Sequence, residues 1–280
     1  MTEKIVVALN GAPVSARTVE WALERAIERR QRIELVGIVG GVVGSVGEVG
    51  ILNDALESTQ AMLDAHAERI RTRGVEVATR VDSGNPVSWL VAASESAALL
   101  VIGSDYRGPD AGPARGTHGI RIAAGAKCPV VVVPDIDLGE RSGVVVGVDG
   151  SAVSEHAIRF AAAEADRHGE PLVAVAVWTP VQAPRNSVVA YPEEYLRNLE
   201  ALTEEALALS LAGLASDYPD LQIVRRAERG FPSDVLTRIA GSARLVVLGS
   251  HGRGAIARFL LGSISQEVLA RLPTVTAIVR

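Results

Sequence analysis

The chain has 280 residues, of which 48% are hydrophobic and 22% charged, with a formal net charge of −5. This apolar content can fill one large core or two ordinary ones, so the composition excludes a disordered chain. The acidic balance offers no basic surface for a phosphate backbone, which argues against nucleic acid as a partner. The single cysteine, Cys128, excludes an internal disulfide and indicates a reducing compartment, the cytoplasm.

Short apolar runs alternate with longer segments of helical periodicity along the whole chain. Strands are predicted in the first half at 4–9, 33–39, 75–81, 99–103 and 130–133, and in the second half at 143–148, 171–178, 221–227, 245–249 and 274–279. Helices of the second half are predicted at 152–168, 193–216, 232–242 and 263–272. This alternation indicates parallel strands joined by crossover helices.

Two segments resemble membrane signals only superficially. The opening MTEKIVVALNGA lacks the basic segment and long apolar run of a signal peptide or anchor. The apolar stretch 36–52 is interrupted by glycines and Glu48, so it predicts a strand end and a loop. We therefore expect no membrane contact.

The two halves are copies of one unit. IVVALNGAPVS at 5–15 aligns with VVVGVDGSAVS at 144–154, an offset of 139, and LLVIGSDYRG at 99–108 aligns with LVVLGSHGRG at 245–254, an offset of 146. The second copy thus carries about seven extra residues between its second and third strands. The sequence predicts an α/β protein of two tandem, doubly wound, five-stranded parallel-sheet domains of Rossmann-like type, at 1–136 and 143–280, joined by a polar linker.

The loop after the fourth strand of the second copy, GSHGRGAIARFLLGS at 249–263, predicts a phosphate site. Its glycines let backbone amides approach an anion and permit positive φ. Ser263, with Gln266 three residues later, fits a capping box and is predicted as the N-cap of the last helix. A helix N-terminus there would attract phosphate. The cationic or hydrogen-bonding side chains within reach are His251, Arg253 and Arg258.

Two other phosphate motifs do not fit. Residues 252–257, GRGAIA, match a dinucleotide fingerprint, but the strand that follows offers no acidic residue for a ribose. A Walker motif is absent, and the chain has only two lysines, Lys4 and Lys127. We expect neither a nicotinamide dehydrogenase nor a Walker NTPase.

Residues after the other strands complete the predicted edge. Asp149 follows the first strand of the second copy, where its carboxylate could accept from a ribose hydroxyl or an adenine amine. It could equally be a turn or N-cap residue of the helix beginning near Ala152. Val177 lies in the second strand and residues 230–232 follow the third, so their backbone could frame a flat base.

With these motifs the chain resembles a tandem universal stress protein over nearly all of its length. The ATP-binding signature of that family, G-x2-G-x9-G-[S/T], is matched in full at 249–263, and the aspartate after strand one is matched by Asp149. The resemblance implies ATP, with or without Mg²⁺, and the sequence leaves AMP and a cyclic nucleotide open as alternatives. It also implies a pseudo-twofold pair of domains whose fifth strands adjoin. Association of two whole chains stays open. The implied binding residues are Asp149, Val177, Gly249, Gly252, Arg253, Gly262, Ser263 and Ser265.

The first copy departs from the signature. Asn10 replaces Asp149, Ala12 replaces Ser151, and Tyr106 replaces Gly252, where its side chain would take the space of the phosphates. Its loop also carries acidic residues, which repel an anion, and prolines, which lack N–H donors. The sequence predicts weak or absent ATP binding here, the alternative being a rearranged loop that still binds. The first-copy candidates are Asn10, Ile38, Gly103, Gly116 and Thr117.

Three functions are compatible with this sequence. The leading hypothesis is a cytoplasmic, ATP-binding regulator of stress adaptation that acts on an unknown protein partner. The second is slow ATP hydrolysis or phosphoryl transfer, for which the sequence offers no convincing base or metal-binding carboxylates. The third is a scaffold in which the nucleotide is structural. No catalytic residue and no protein metal site are predicted.

Overall fold

The computed structural model describes residues 3–40, 48–104, 118–180, 191–252 and 260–280. The chain divides into two compact units, Met1–Asp137 and Leu138–Arg280. Within each unit, five parallel strands form a sheet and helices connect them. The predicted α/β class, with a doubly wound five-stranded parallel sheet in each half, is confirmed.

The first unit has strand order β3-β2-β1-β4-β5. Its elements are β1 (Lys4–Leu9), α1 (Ser15–Arg29), β2 (Arg32–Val39), α2 (Glu48–Arg71), β3 (Val77–Ser83), α3 (Pro86–Ala93), β4 (Leu99–Ser104), α4 (His118–Gly125) and β5 (Val130–Pro134).

The second unit repeats this topology, with order β8-β7-β6-β9-β10. Its elements are β6 (Val144–Gly147), α5 (Ala152–His168), β7 (Leu172–Trp178), α6 (Glu193–Ser210), α7 (Leu214–Asp217), β8 (Ile223–Arg229), α8 (Pro232–Ala240), β9 (Leu245–Gly249), α9 (Ser263–Arg271) and β10 (Val275–Val279).

The apolar strands form the core of each unit. All five residues of β5 and all five of β10 are buried, as expected for strands covered on both faces. The chain runs outward from β6 through β7 and β8, then returns to the other side of β6 as β9. Strand order therefore reverses between β6 and β9, and ligands of such sheets bind at the carboxyl ends of the strands beside this point.

Several of the predicted spans differ from the structure. Strands β3 and β8 each begin two residues later than predicted. The predicted helix 193–216 divides into α6 and α7, because Gly213 adopts φ 85°, a left-handed conformation that interrupts a helix. The stretch 36–52, predicted as a strand end and loop, contains the start of α2. The glycine inside α2, Gly50, costs the helix only about 1 kcal/mol, and the other residues of this long helix offset that cost.

Within the described ranges, no helix is both long and apolar enough to span a membrane.

Candidate functional site

A cavity of about 730 Å³ opens in the second unit, within the size range of small-molecule sites. Its walls come from the carboxyl ends of β6, β7 and β9, the starts of α8 and α9, and one face of α6. Arg253 lies outside the described residues, as does Arg258. The structure brings the other predicted residues of this copy to one cavity: Asp149, Val177, Gly249, Gly252, Gly262, Ser263 and Ser265.

The turn after β6 fixes the carboxylate of Asp149. Gly150 adopts φ 73°, and Asp149 Oδ1 accepts a hydrogen bond from the Ser151 N–H at 2.9 Å. Ser151 is the N-cap of α5, since its hydroxyl accepts from the Ser154 N–H at 3.2 Å. Asp149 is therefore a turn residue through one oxygen, while its second oxygen, Oδ2, points toward Gly252.

The space beside Gly252 is occupied by this carboxylate. A Cβ built on Gly252 would overlap Oδ2 of Asp149. Gly262 is similarly close to the chain before it, since a Cβ there would lie 3.3 Å from His251 Cα. Neither of these glycines, nor Gly249, has a positive φ. At these three positions the positive φ that glycine permits is therefore not used, and what Gly252 and Gly262 provide is close approach, of the Asp149 carboxylate and of the chain at His251.

The N-terminus of α9 differs from the prediction. Gly262, not Ser263, is the N-cap, and no side chain makes a cap hydrogen bond there, so the predicted capping box with Gln266 is wrong. The Gly262 N–H donates to Ser250 O at 2.8 Å, which sets Gly262 at the cap and makes Ser263 the first helical residue. The first-turn amides of α9 are thus left without a side-chain cap, and the positive end of the helix dipole faces the cavity.

Two hydroxyls support the same end of the cavity. Ser265 donates its Oγ hydrogen to Gly249 O at 2.6 Å, which ties the start of α9 to the end of β9. Ser154 lines the cavity and is only 3% exposed, and its hydroxyl has no hydrogen-bond partner among the described residues, as is also true of its buried counterpart in the first unit, Ser15. Sequence reasoning missed Ser154, although its place three residues after the N-cap serine was a usable signal.

Strand β7 presents main-chain groups to the cavity. In a parallel sheet, successive residues direct their N–H and C=O alternately to the two neighbouring strands. The Val148 N–H donates to Val175 O at 2.8 Å, so Val175 faces β6. Val177, two residues later, faces the same side, where β6 has already ended at Gly147. Val177 therefore offers one donor and one acceptor at the cavity wall.

Ile38, the counterpart of Val177 in the first unit, differs from it in the hydrogen bonding of its main chain. Pairing of β1 with β2 extends to Leu9↔Gly37, whereas pairing of β6 with β7 stops one step earlier, at Gly147↔Val175. The additional pair is made by the main-chain groups of Leu9 and of the residues flanking Gly37. The N–H of Ile38 is consequently engaged by the ladder.

The remaining candidates of the first unit have structural roles where they are described. Asn10 Oδ1 accepts from the Ala12 N–H at 3.1 Å, the same turn that Asp149 makes. A Cβ on Gly103 would lie 2.6 Å from Val14 Cγ1 and 2.9 Å from Thr18 Oγ1, so packing against α1 requires this glycine. Gly116 and Thr117 lie outside the described residues, as does Tyr106.

Sequence reasoning also missed the wall formed by α6. The apolar spacing of the helix was visible, but nothing in it indicated that this face would border a cavity. The α6 residues at the cavity are Leu199, Leu202, Thr203, Ala206, Leu207 and Ser210.

The described lining contains one carboxylate, Asp149, and neither lysine nor arginine. In the described part of the chain, no group of three or more His, Cys, Asp or Glu side chains could hold a metal ion. At the described walls an anion would therefore meet backbone amides, the positive end of the α9 dipole and the imidazole of His251.

Comparison with known proteins links both halves to one family. The family model for the universal stress protein family matches residues 1–134 and 141–280. Universal stress protein Rv2623 of Mycobacterium tuberculosis is 31% identical over 288 residues, which cover 98% of this chain and 95% of that protein. Rv1996 of the same organism is 32% identical over 291 residues, covering 95% and 91%.

The fold has solved counterparts of the same extent. The crystal structure of a universal stress protein from Archaeoglobus fulgidus aligns with a TM-score of 0.70 at 16% identity, covering 98% of this chain and 95% of that one. A putative universal stress protein from Pseudomonas aeruginosa aligns with a TM-score of 0.67, also at 16% identity, covering 99% and 92%. At this identity the likeness concerns the fold.

Proposed function

The chain belongs to the universal stress protein family, with one family domain in each half, and on this basis we propose that its second unit binds ATP as a regulatory ligand. The proposal rests on three features that lie at one cavity. They are the N-terminus of α9, which has no side-chain cap, the closely packed glycines Gly252 and Gly262, and the end of β7, whose main-chain groups face the cavity.

The α9 end of the cavity suits the phosphates. Backbone amides at a helix N-terminus bind anions, and here no side-chain cap competes with the ligand. Gly252, Gly262 and Ser263 line this end of the cavity, with Ser263 at the helix start. The buried, unpartnered hydroxyl of Ser154 gains a hydrogen bond if a phosphate or ribose oxygen reaches it.

The β7 end suits the adenosine. The N–H and C=O of Val177 match the acceptor and donor on the edge of adenine. Asp149 Oδ2, not used by the turn, can accept from a ribose hydroxyl. Mg²⁺ would accompany ATP through its phosphates, since the described walls supply only one carboxylate.

Regulation by occupancy fits this site better than catalysis. Phosphoryl transfer needs a residue that positions the attacking group, usually with metal-binding carboxylates, and the described cavity walls do not offer that set. Slow hydrolysis and a purely structural nucleotide are the alternatives. The buried, unpaired thiol of Cys128 supports a cytoplasmic location.

The first unit is proposed to bind ATP weakly or not at all. The amide of Ile38 is engaged within the sheet, and Asn10 lacks the charge of Asp149. The protein partner and association of two chains stay proposals without a structural argument.

Calorimetric titration of ATP into the full chain tests this proposal. We expect one site per chain, a marked loss of affinity in Asp149→Ala, and no loss in the matched variant Asn10→Ala. Two equivalent sites would contradict the assignment to the second unit, and no binding would refute the proposed function. Sustained phosphate release by purified protein would favour the enzyme alternative.

A further inference from the structure

The turn after β1 contains the one Asn-Gly pair of the sequence, Asn10–Gly11. Both residues are exposed, directly after the buried end of the strand at Leu9. Gly11 adopts φ 74°, and a Cβ built on it would meet no described atom within 4 Å. Because glycine has no side chain to shield its nitrogen, the main chain at Gly11 is open to reaction with the asparagine before it.

The groups that such a reaction needs are free or already in place. The Gly11 N–H, which becomes the nucleophile, donates to no group in the described part of the chain. Asn10 Oδ1 accepts a hydrogen bond from the Ala12 N–H at 3.1 Å. Attack on Asn10 Cγ places negative charge on Oδ1, and a donor already positioned at that oxygen stabilises the charge. The turn therefore favours attack on the side-chain amide.

The second unit shows that the same turn holds an aspartate. Asp149–Gly150 is the counterpart at the 139-residue offset, and Gly150 has φ 73°. Asp149 Oδ1 accepts from the Ser151 N–H at 2.9 Å, so the same side-chain bond closes both turns. An aspartate at position 10 would keep this turn and would carry the negative charge that the first unit lacks there.

We propose that Asn10 deamidates spontaneously, which gives the first unit the carboxylate that the second unit encodes at Asp149. The Gly11 nitrogen loses its proton and bonds to Asn10 Cγ. The Cγ–Nδ2 bond breaks, and Nδ2 leaves as ammonia after it takes up a proton. The product is a five-membered succinimide, which water then opens, so that the net change is the exchange of ammonia for water.

Water can attack either carbonyl carbon of the succinimide. Attack at Cγ gives aspartate with the normal main chain, which fits the turn as Asp149 does. Attack at the main-chain carbon gives isoaspartate, in which the chain passes through Cγ and is one carbon longer, so the turn is broken. Aged protein should therefore contain two forms of the first unit, one with its turn closed and one with its turn open.

Incubation of the full chain at pH 8, followed by peptide mass mapping, tests the inference. The peptide that contains Asn10 should gain the mass difference between an amide and an acid, and part of the product should be isoaspartate. Because the attacking nitrogen must lose its proton, the conversion should be about tenfold slower at pH 7 than at pH 8.

The chain supplies its own controls. Asn85 precedes a proline, which has no N–H to react, and Asn198 lies inside α6, so both should stay intact. Asp149 has the same turn, but a carboxylate resists attack at pH 8, so its peptide should stay largely unchanged. Asn10→Gln, whose longer side chain would have to close a six-membered ring, should abolish the conversion.

The outcomes decide the inference without reference to nucleotide binding. Conversion at Asn10 in the folded chain, with Asn85 and Asn198 intact, supports it. No conversion in the folded chain, while chain unfolded in guanidinium converts, would show that the turn protects Asn10 and would overturn it. Asn10→Asp should unfold at the same denaturant concentration as the wild type, and a lower midpoint would contradict the fit of aspartate in this turn.

Discussion

Replacement of Gly252 by alanine is expected to weaken ATP binding through Asp149. The new Cβ would take the position of Asp149 Oδ2, so the carboxylate must rotate away and lose its bond from the Ser151 N–H. A hydrogen bond to a charged group contributes about 1.5–3 kcal/mol, so loss of the carboxylate from the nucleotide should raise Kd about 10- to 150-fold. The broken turn should also lower the free energy of unfolding by about 0.5–1.5 kcal/mol.

Calorimetry of four proteins tests this reasoning: the wild type, Gly252→Ala, Asp149→Ala and the double variant. Once the carboxylate is absent, the methyl group at 252 has nothing to displace. The double variant should therefore bind ATP about as Asp149→Ala does, a non-additive result typical of residues in contact. Wild-type affinity in Gly252→Ala, or losses that simply add in the double variant, would refute the coupling.

Three further predictions concern stability and reactivity. Gly103→Ala should destabilise the first unit by about 1–3 kcal/mol in denaturant unfolding, through overlap with side chains at the start of α1, and leave one ATP per chain. Burial alone would raise the pKa of Glu170, but hydrogen bonds from Arg244 and the Gly143 N–H lower it below its usual value. Its contribution is therefore present above the ordinary carboxyl pKa of about 4.3 and lost as pH falls through the lowered one, so Glu170→Gln should flatten the acid side of the stability curve. Burial raises the pKa of Cys128 to about 11, so the native thiol should react with an aromatic disulfide at pH 8 far more slowly than the unfolded chain.

Local patterns in the sequence were enough to predict most of the architecture. Helix α5 begins and ends at the predicted residues, because Ser151 caps it and a glycine in the left-handed conformation follows it. The pattern at Ser263 was ambiguous, since a serine followed by Gln266 fits both the cap and the first helical position. The backbone bond from Gly262 to Ser250 decided between them, and that bond depends on the path of the whole loop.

The cavity walls were harder to predict because they depend on how a helix rests on a sheet. Gly37, on which Thr59 of α2 packs, belongs to no recognisable motif. Its close contact with the methyl group of Thr59 is visible only in the structure. Likewise, the orphan hydroxyl of Ser154 is visible only once its surroundings are known.

The hydrogen-bonded pairing of β6 with β7 ends before β7 does. The main chain of β7 at Val177 is therefore an open edge within the sheet of the second unit. An edge strand ordinarily accepts another strand, which continues the ladder. At Val177 a flat purine would serve as that continuation, so the ligand would replace a rung of the sheet that the first unit supplies from its own chain. Binding would then complete at one edge of β7 the pairing that its other edge already has, since β7 pairs with β8 to its last residue, Trp178↔Arg229.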